Sequence, residues 1–494
     1  VKIIAIIVVS LVSSISLQGQ QVLEVTASIQ RLYDLTASLQ LDKAQYVADS
    51  IKKTEPNNML VYHMEHYIDF YEIFITEDEE LFTEREDNLE HRLDLIEQAE
   101  TSSPYYLFCQ AEMELMWALV RLKWDQKYRA GRGVLRAYRL LEKNVKLFPD
   151  FKENYKSLSI IHAMSESLPA WLRTIVGISG NISEGTREIL SFVDYAKAAS
   201  SIWYREGVVV ASYMLFYLNN EKDKAWQLLN EHDLDVGSHP LLTFIYSNMA
   251  QRTGQNDLAI TILEQRTTSN DMLNFAYLDL LLGKSKLYRL DVDADTYLHK
   301  YLRDFDGKHF VKEAYQKLAW HALAVQGDKE AYYKYINMCL SRGEALTDED
   351  QQAAKEAQRG KLPDQKLLRA RLLFDGGYLH RAHRELILAE ASYPDTHPMR
   401  DIYLYRLGRV LQGLGNPVEA IQYYDKVITL NDKDTYQRCN AALQIGLILE
   451  GQARYTEALR YLNKCLSIPS ETYRTSLHQK ARAGIERVET KALD

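Results

Sequence analysis

Residues 405–432 read YRLGRVLQGLGNPVEAIQYYDKVITLND, and the placing of small and large residues along them decides the fold. Gly408 lies in the first of two apolar-periodic segments, where a small residue lets a second helix approach closely. Gly415, seven residues later, suits the left-handed position that ends a helix. Ala420 is the small residue of the second helix that faces the first, and Tyr424 is expected to fill the groove toward the next hairpin. The same columns recur without gaps 38 residues apart. Ala382, Ala420 and Ala458 fall in register, as do Leu373, Leu411 and Leu449, then Gly377, Gly415 and Ala453, then Leu386, Tyr424 and Leu462. A small residue recurs at Ala370, Gly408 and Gly446; Pro394 closes the first copy, with Asp432 and Ser470 in its place later. Self-similarity at a fixed period signals stacked units. The expected fold is all-α, a solenoid of helical hairpins wound into a superhelix.

Composition agrees with that reading. The 494 residues include only 10 Pro and 22 Gly but 33 Tyr, and 46% are hydrophobic. An all-β chain needs more turn residues, and a disordered chain has fewer aromatics. Mean hydropathy is −0.32, and one long apolar run is present, which excludes a multi-span membrane protein. The formal charge of −9, from 59 Lys+Arg against 68 Asp+Glu, argues against nucleic acid as a partner, since that needs a basic face. The densest acidic run, EDEELFTEREDNLE at 77–90, reads as a solvated helix face.

The stretch at 405–432 and its successor LQIGLILEGQARYTEALRYLNKCLSIPS at 443–470 resemble the tetratricopeptide repeat, a hairpin of about 34 residues. Weaker copies lie upstream. NEKDKAWQLLNEH and TGQNDLAITILEQ pair Ala225 with Ala259 and Leu229 with Leu263, with Gly254 at the position of Gly415. LAWHALAVQGDKEAYYKYI at 318–336 is a further copy. YYLFCQAEMELMWALVRL (105–122) and GVLRAYRLLEKNVKLFPDF (133–151) predict a long helical hairpin ended by Pro149.

Two further segments resemble a particular group. LPAWLRTIVGISGNISEGTREILSF (168–192), with Gly177, Gly180 and Gly185 between two amphipathic helices, looks like the glycine corner of the tetratricopeptide repeat protein 39 family, which includes a yeast inclusion-clearance protein. Ile178 stands where that corner usually has an aromatic. Residues 277–328 resemble exported members of the family from Bacteroidota bacteria. The resemblance implies a helical solenoid and brings no catalytic residue with it. The expected divisions are a signal peptide at 1–20, degenerate hairpins at 21–195, degenerate central repeats at 196–362, three clear repeats at 363–485 and a tail at 486–494.

At the N-terminus Lys2 precedes IIAIIVVSLV and then SSISLQGQQ. One charge, an apolar core and a small-residue exit form a secretory signal peptide, with cleavage near Gly19 or Gln20. Such export permits disulfides. The four cysteines, Cys109, Cys339, Cys439 and Cys465, are widely spaced and read as buried apolar residues. Cys439 and Cys465 should stand level in one hairpin, where either a disulfide joins them or Cys465 fills the small-residue slot that Ala389 and Val427 fill in the other copies.

No catalytic, cofactor-binding or metal-ligating set emerges from the sequence. DVDADTYLHKYL (291–302) begins like a calcium loop, but Thr296 and Leu302 occupy the positions that need Gly and Glu. The pairs His63/His66 and His380/His383 lack further ligands and read as packing or surface residues. Function is therefore expected from the surface. Stacked hairpins present an extended concave face lined by their first helices. In the clear copies that face comprises Leu367, Arg371, Phe374, Tyr405, Arg409, Gln412, Asn440 and Leu447, a mix suited to a protein partner. The expectation is a non-catalytic, exported scaffold for protein–protein interaction, periplasmic and accessory to an outer-membrane complex. The alternative is a periplasmic glycan- or peptidoglycan-associated binding protein, with tyrosines as stacking platforms.

Overall fold

Helix follows helix along the chain, most of them joined by turns of a few residues, as the shortage of Pro and Gly requires. The computed structural model describes residues 20–165, 177–232, 234–430, 435–470 and 474–491. The expected signal peptide and the first part of the glycine corner (168–176) lie outside them. Among the described residues the protein is all-α, with one isolated β-bridge between Val22 and Asn58. None of the described helices is long and apolar enough to cross a membrane. The chain forms two compact units, residues 1–234 with 268–273 and residues 235–267 with 274–494.

The first unit contains the expected long hairpin as helices Tyr105–Lys123 and Lys127–Leu147. Gly133 meets Glu114 and Ala118 at its crossing, where an added Cβ would lie 3.1 Å from the Glu114 carbonyl. The glycine corner has the same logic. A Cβ on Gly185 would come 2.3 Å from the Ser159 carbonyl, and one on Gly180 2.6 Å from His162. The acidic run is only partly a solvated face. Glu77 is buried as the left-handed cap of helix Leu60–Thr76 and pairs with Lys123 at 2.6 Å.

His63 and His66 lie deep in this unit's core, His63 against Tyr67, Phe108 and Trp203. His66 Nε2 donates to the Met113 carbonyl at 3.1 Å, while among the described residues neither ring nitrogen of His63 meets a partner. Burial first, then nearby cations, holds both imidazoles well below their ordinary 6.5. The unfolded chain thus takes up protons that the native core refuses. This contribution is complete above about pH 6.5 and shrinks as pH falls below it, by about 1.4 kcal/mol per pH unit for each histidine. Urea unfolding of the first unit should show a lower midpoint at mildly acidic than at neutral pH, and His63→Leu should flatten the dependence. A midpoint that does not move between the two conditions contradicts this.

Among the described residues of the second unit six helical hairpins follow one another from Pro240 to Ser467, interrupted by the single helix Asp348–Arg359 and followed by the single helix Arg474–Lys491. The columns of the repeat are its core: Ala382, Ala420, Ala458, Leu386, Tyr424 and Leu462 are all buried in one cluster. The ring of Tyr424 lies on Gly408 of its own hairpin, where an added Cβ would be 2.8 Å from the ring. Gly446 receives Leu462 in the same way. The small residue is needed under the large one, not merely near it. Gly377, Gly415 and even Ala453 adopt positive φ, so the corner is left-handed in every copy. Cys439 and Cys465 are buried and level, their Sγ atoms 3.5 Å apart.

Candidate functional site

The first helices of successive hairpins in the second unit share one face, as hairpin stacking dictates. Along it runs a groove of about 1700 Å³. Its walls come from helices Tyr277–Arg289, Val311–His321, Asp348–Arg359, Gln365–Asp375, Arg400–Gly413 and the start of Tyr436–Gly451, with the Gly254 and Gly377 corners at one edge. Of the eight positions expected on a binding face, Leu367, Arg371, Phe374, Tyr405 and Arg409 border it. The other three are turned into the stack. Gln412 donates to Gln444 at 3.0 Å and accepts from Tyr424 at 2.7 Å. Asn440 is buried and donates to the hydroxyls of Tyr405 and Tyr436 at 2.6 and 2.9 Å. Leu447 packs on the core cluster.

Sequence reasoning missed the groove's charge. Its basic residues are Arg252, Lys284, Lys317, Lys355, Arg359, Lys361, Arg371, Arg406 and Arg409, against the acids Glu313, Asp348, Glu349, Glu356, Asp364 and Asp375. Deep acids are already engaged. Glu313 pairs with Lys284 at 2.8 Å and Lys317 at 3.4 Å. Burial works against its charge, yet these two ammonium groups hold its carboxyl below the ordinary range. Burial likewise opposes the charge on Lys284, and Glu313 more than offsets it, so that the ammonium is held above its usual value. Glu356 accepts from Gln316, Trp320 Nε1 and Tyr332 at 2.7, 2.8 and 3.2 Å.

The cations are flanked by rings. Lys317 Nζ lies 4.0 Å from the centre of the Trp320 ring, and the Arg371 guanidinium 4.6 Å from it. Arg409 stacks 4.8 Å from Phe374 and donates to the Tyr405 hydroxyl at 3.1 Å. Arg406, one helical turn before it, has its Nε buried with no hydrogen-bond partner among the described residues. Burial, followed by the like charge of Arg371, outweighs the opposing Asp375 and pushes Arg406 down to about 10.

Elsewhere, the carboxylates of the calcium-like segment are occupied by protein: Arg289 donates to Asp291 and Lys286 to Asp293. His162, Glu184 and Glu188 of the first unit bring one ligand atom each within 4.8 Å of one another. Burial disfavours the charged imidazole, but Glu188 at 2.8 Å from Nδ1 outweighs it and raises the pKa of His162. The trio is thus an ion pair, and a proton would have to leave before that nitrogen could ligate a metal. Many tyrosines sit in the core: Tyr67, Tyr301, Tyr332, Tyr393, Tyr403 and Tyr424 are buried and offer no open ring face.

Residues 399–471 match the family model of the tetratricopeptide repeat, covering the last two of the three hairpins whose register the sequence repeats. No curated protein matches the chain. Among solved structures, a human IFIT1 dimer with m7Gppp-AAAA is 12% identical over 96% of this chain and 92% of its own, with a TM-score of 0.30. Yeast Tom70 is 12% identical over 94% and 88%, with a TM-score of 0.24. A Naa15/Naa10 assembly bound to HypK-THB is 14% identical over 93% of this chain, which spans 65% of the matched one, with a TM-score of 0.26. Superpositions this loose say nothing of what the present chain binds.

Proposed function

We propose that this tetratricopeptide-repeat protein is a non-catalytic scaffold that holds other proteins in the groove of its second unit. The observation that carries the reading is the groove itself, a continuous face bordered by the first helices of successive hairpins and mixing Trp320, Phe374 and Tyr405 with arginines. Aromatic and arginine side chains are enriched at the hot spots of protein interfaces. At about 1700 Å³ the space exceeds the roughly 300–1,000 Å³ of small-molecule sites.

The setting we propose is the cell envelope. The apolar run after Lys2 and its small-residue exit support export to the periplasm, and the likeness of residues 277–328 to exported Bacteroidota proteins of the tetratricopeptide repeat protein 39 kind supports an accessory place in an outer-membrane-associated complex. A photocrosslinking residue placed at Phe374, within the groove, should give protein adducts in cells of the native host. The same residue at Leu388, 79% exposed on a second helix outside the groove, should not. Equal adducts from both positions, or none from Phe374, would rule the groove out as the binding face.

A further inference from the structure

We infer that the groove receives an extended acidic polypeptide segment, whose side-chain carboxylates are taken by Arg406, Arg409 and Arg371. The inference rests on the reading of the groove as a protein-binding face and adds the chemistry of its occupant. Three guanidinium groups project from two adjacent first helices, Gln365–Asp375 and Arg400–Gly413. Among the described residues, Arg406 and Arg409 have no carboxylate within ion-pair distance; Arg409 meets a phenol and a ring face, and Arg406 Nε meets nothing. A buried donor without an acceptor is unfavourable, and like charges side by side add to that. An incoming carboxylate relieves both, because a guanidinium fork accepts it in a bidentate geometry.

Arg371 already shares Asp375 at 3.5 Å, and the other deep acids of the groove are held away from Arg406 and Arg409. Glu313 is held by Lys284 and Lys317, and Glu356 by Trp320, Gln316 and Tyr332. Asp364 caps the Leu367 amide at 3.0 Å and accepts from Tyr393. The basic excess is local, because the chain as a whole carries −9; that is complementarity to a particular ligand, not general basicity. Trp320 and Phe374 hold the planes of Arg371 and Arg409, which keeps the forks ordered before a ligand arrives. A small anion would fill one corner of the space, whereas a strand of acidic residues, rising about 3.3 Å per residue, can reach all three arginines along the groove.

The test is fluorescence anisotropy on the full chain with a labelled peptide of about a dozen residues alternating Glu with Leu. Its partner probe is the same peptide with Gln for every Glu, and a third is an oligouridylate of similar length. We expect the Glu peptide to bind at near-physiological salt and the Gln peptide to bind at least about tenfold more weakly. The double variant Arg406→Gln/Arg409→Gln should lose at least about tenfold for the Glu peptide, while Arg384→Gln, on an exposed second-helix position, changes nothing. Should the double variant fail to fold, Arg409→Gln alone carries the test with a smaller loss. Equal binding of Glu and Gln peptides, no binding of the Glu peptide, or unchanged binding by the folded variants overturns the inference. So does oligouridylate binding as tightly as the Glu peptide, which would make the groove a general polyanion site. Adducts at Phe374 in cells, together with failure of the Glu peptide, would leave the scaffold reading standing and remove only its acidic occupant.

Discussion

Replacing Lys156 by Met should destabilise the first unit by about 3–5 kcal/mol, the range for breaking one side of a buried ion network. The Lys156 side chain is 3% exposed and its Nζ pairs with Glu112, equally buried, and with Glu206 at 3.0 Å, while donating to the Tyr67 hydroxyl at 2.8 Å. Tyr67 and Tyr33 in turn donate to Glu206 at 3.2 and 3.1 Å, and Ser157 donates to Glu112. Burial works against the ammonium, but the two carboxylates outweigh it and hold Lys156 above its ordinary value. Methionine fills the aliphatic space and supplies no charge, so the buried Glu112 carboxyl loses its counter-ion and keeps only the hydroxyls of Ser157 and Tyr67. A loss of that size is a large part of the roughly 5–15 kcal/mol that holds a domain together. Urea unfolding followed by tryptophan fluorescence measures it, because Trp117 and Trp203 lie in this unit's core. Adding Glu112→Gln to Lys156→Met should recover a substantial part of the loss, since it removes the stranded charge. If Lys156→Met costs less than about 1 kcal/mol, the network behaves as a surface salt bridge and the argument fails.

That network illustrates what a single sequence hides. Glu112, Lys156 and Glu206 lie on three separate helices, and a charged residue in an amphipathic pattern reads as solvent-facing until the fold brings its partner beside it. The repeat columns are different. Gly408 under Tyr424 and Gly446 under Leu462 are local pairs within one hairpin, and three copies state the same constraint, so the fold was legible. The binding face was half legible for the same reason. Periodicity marks the first helix, and Arg371, Phe374 and Arg409 follow from it. It does not say which part of that helix the neighbouring hairpin covers, and Asn440 and Gln412 are spent there on Tyr405, Tyr424 and Gln444. Arg406 was invisible because its significance is an absence, a guanidinium nitrogen without an acceptor, and only packing reveals that.

Gly377→Ala is expected to destabilise the second unit by about 2–5 kcal/mol, far more than the same change at the equivalent corner Gly415. Both glycines have φ +79°, so each alanine pays the left-handed penalty of about 1–2 kcal/mol. What separates them is space. A Cβ at Gly415 meets nothing within 4 Å, whereas one at Gly377 would lie 2.3 Å from the carbonyl oxygen of Gly254 and 2.7 Å from its Cα. Those are backbone atoms of another left-handed corner, with φ +77°, and no side-chain rotation relieves the clash; forced overpacking adds about 1–3 kcal/mol. The contact is asymmetric. A Cβ on Gly254 would stand 3.5 Å from Gly377 Cα, an ordinary distance, so Gly254→Ala should resemble Gly415→Ala. Ala453 holds the same corner in the last copy at φ 57°, and Ala453→Gly should be neutral or stabilising. Urea midpoints followed at Trp320 would rank the four variants, and a Gly377→Ala midpoint no lower than that of Gly415→Ala would show that the two corners do not press on each other. Because Gly254 and Gly377 both border the groove, the shift that accommodates the extra methyl also moves the groove's edge. Gly377→Ala protein that remains folded should therefore bind the acidic peptide more weakly, although neither glycine carries a group that could touch a carboxylate.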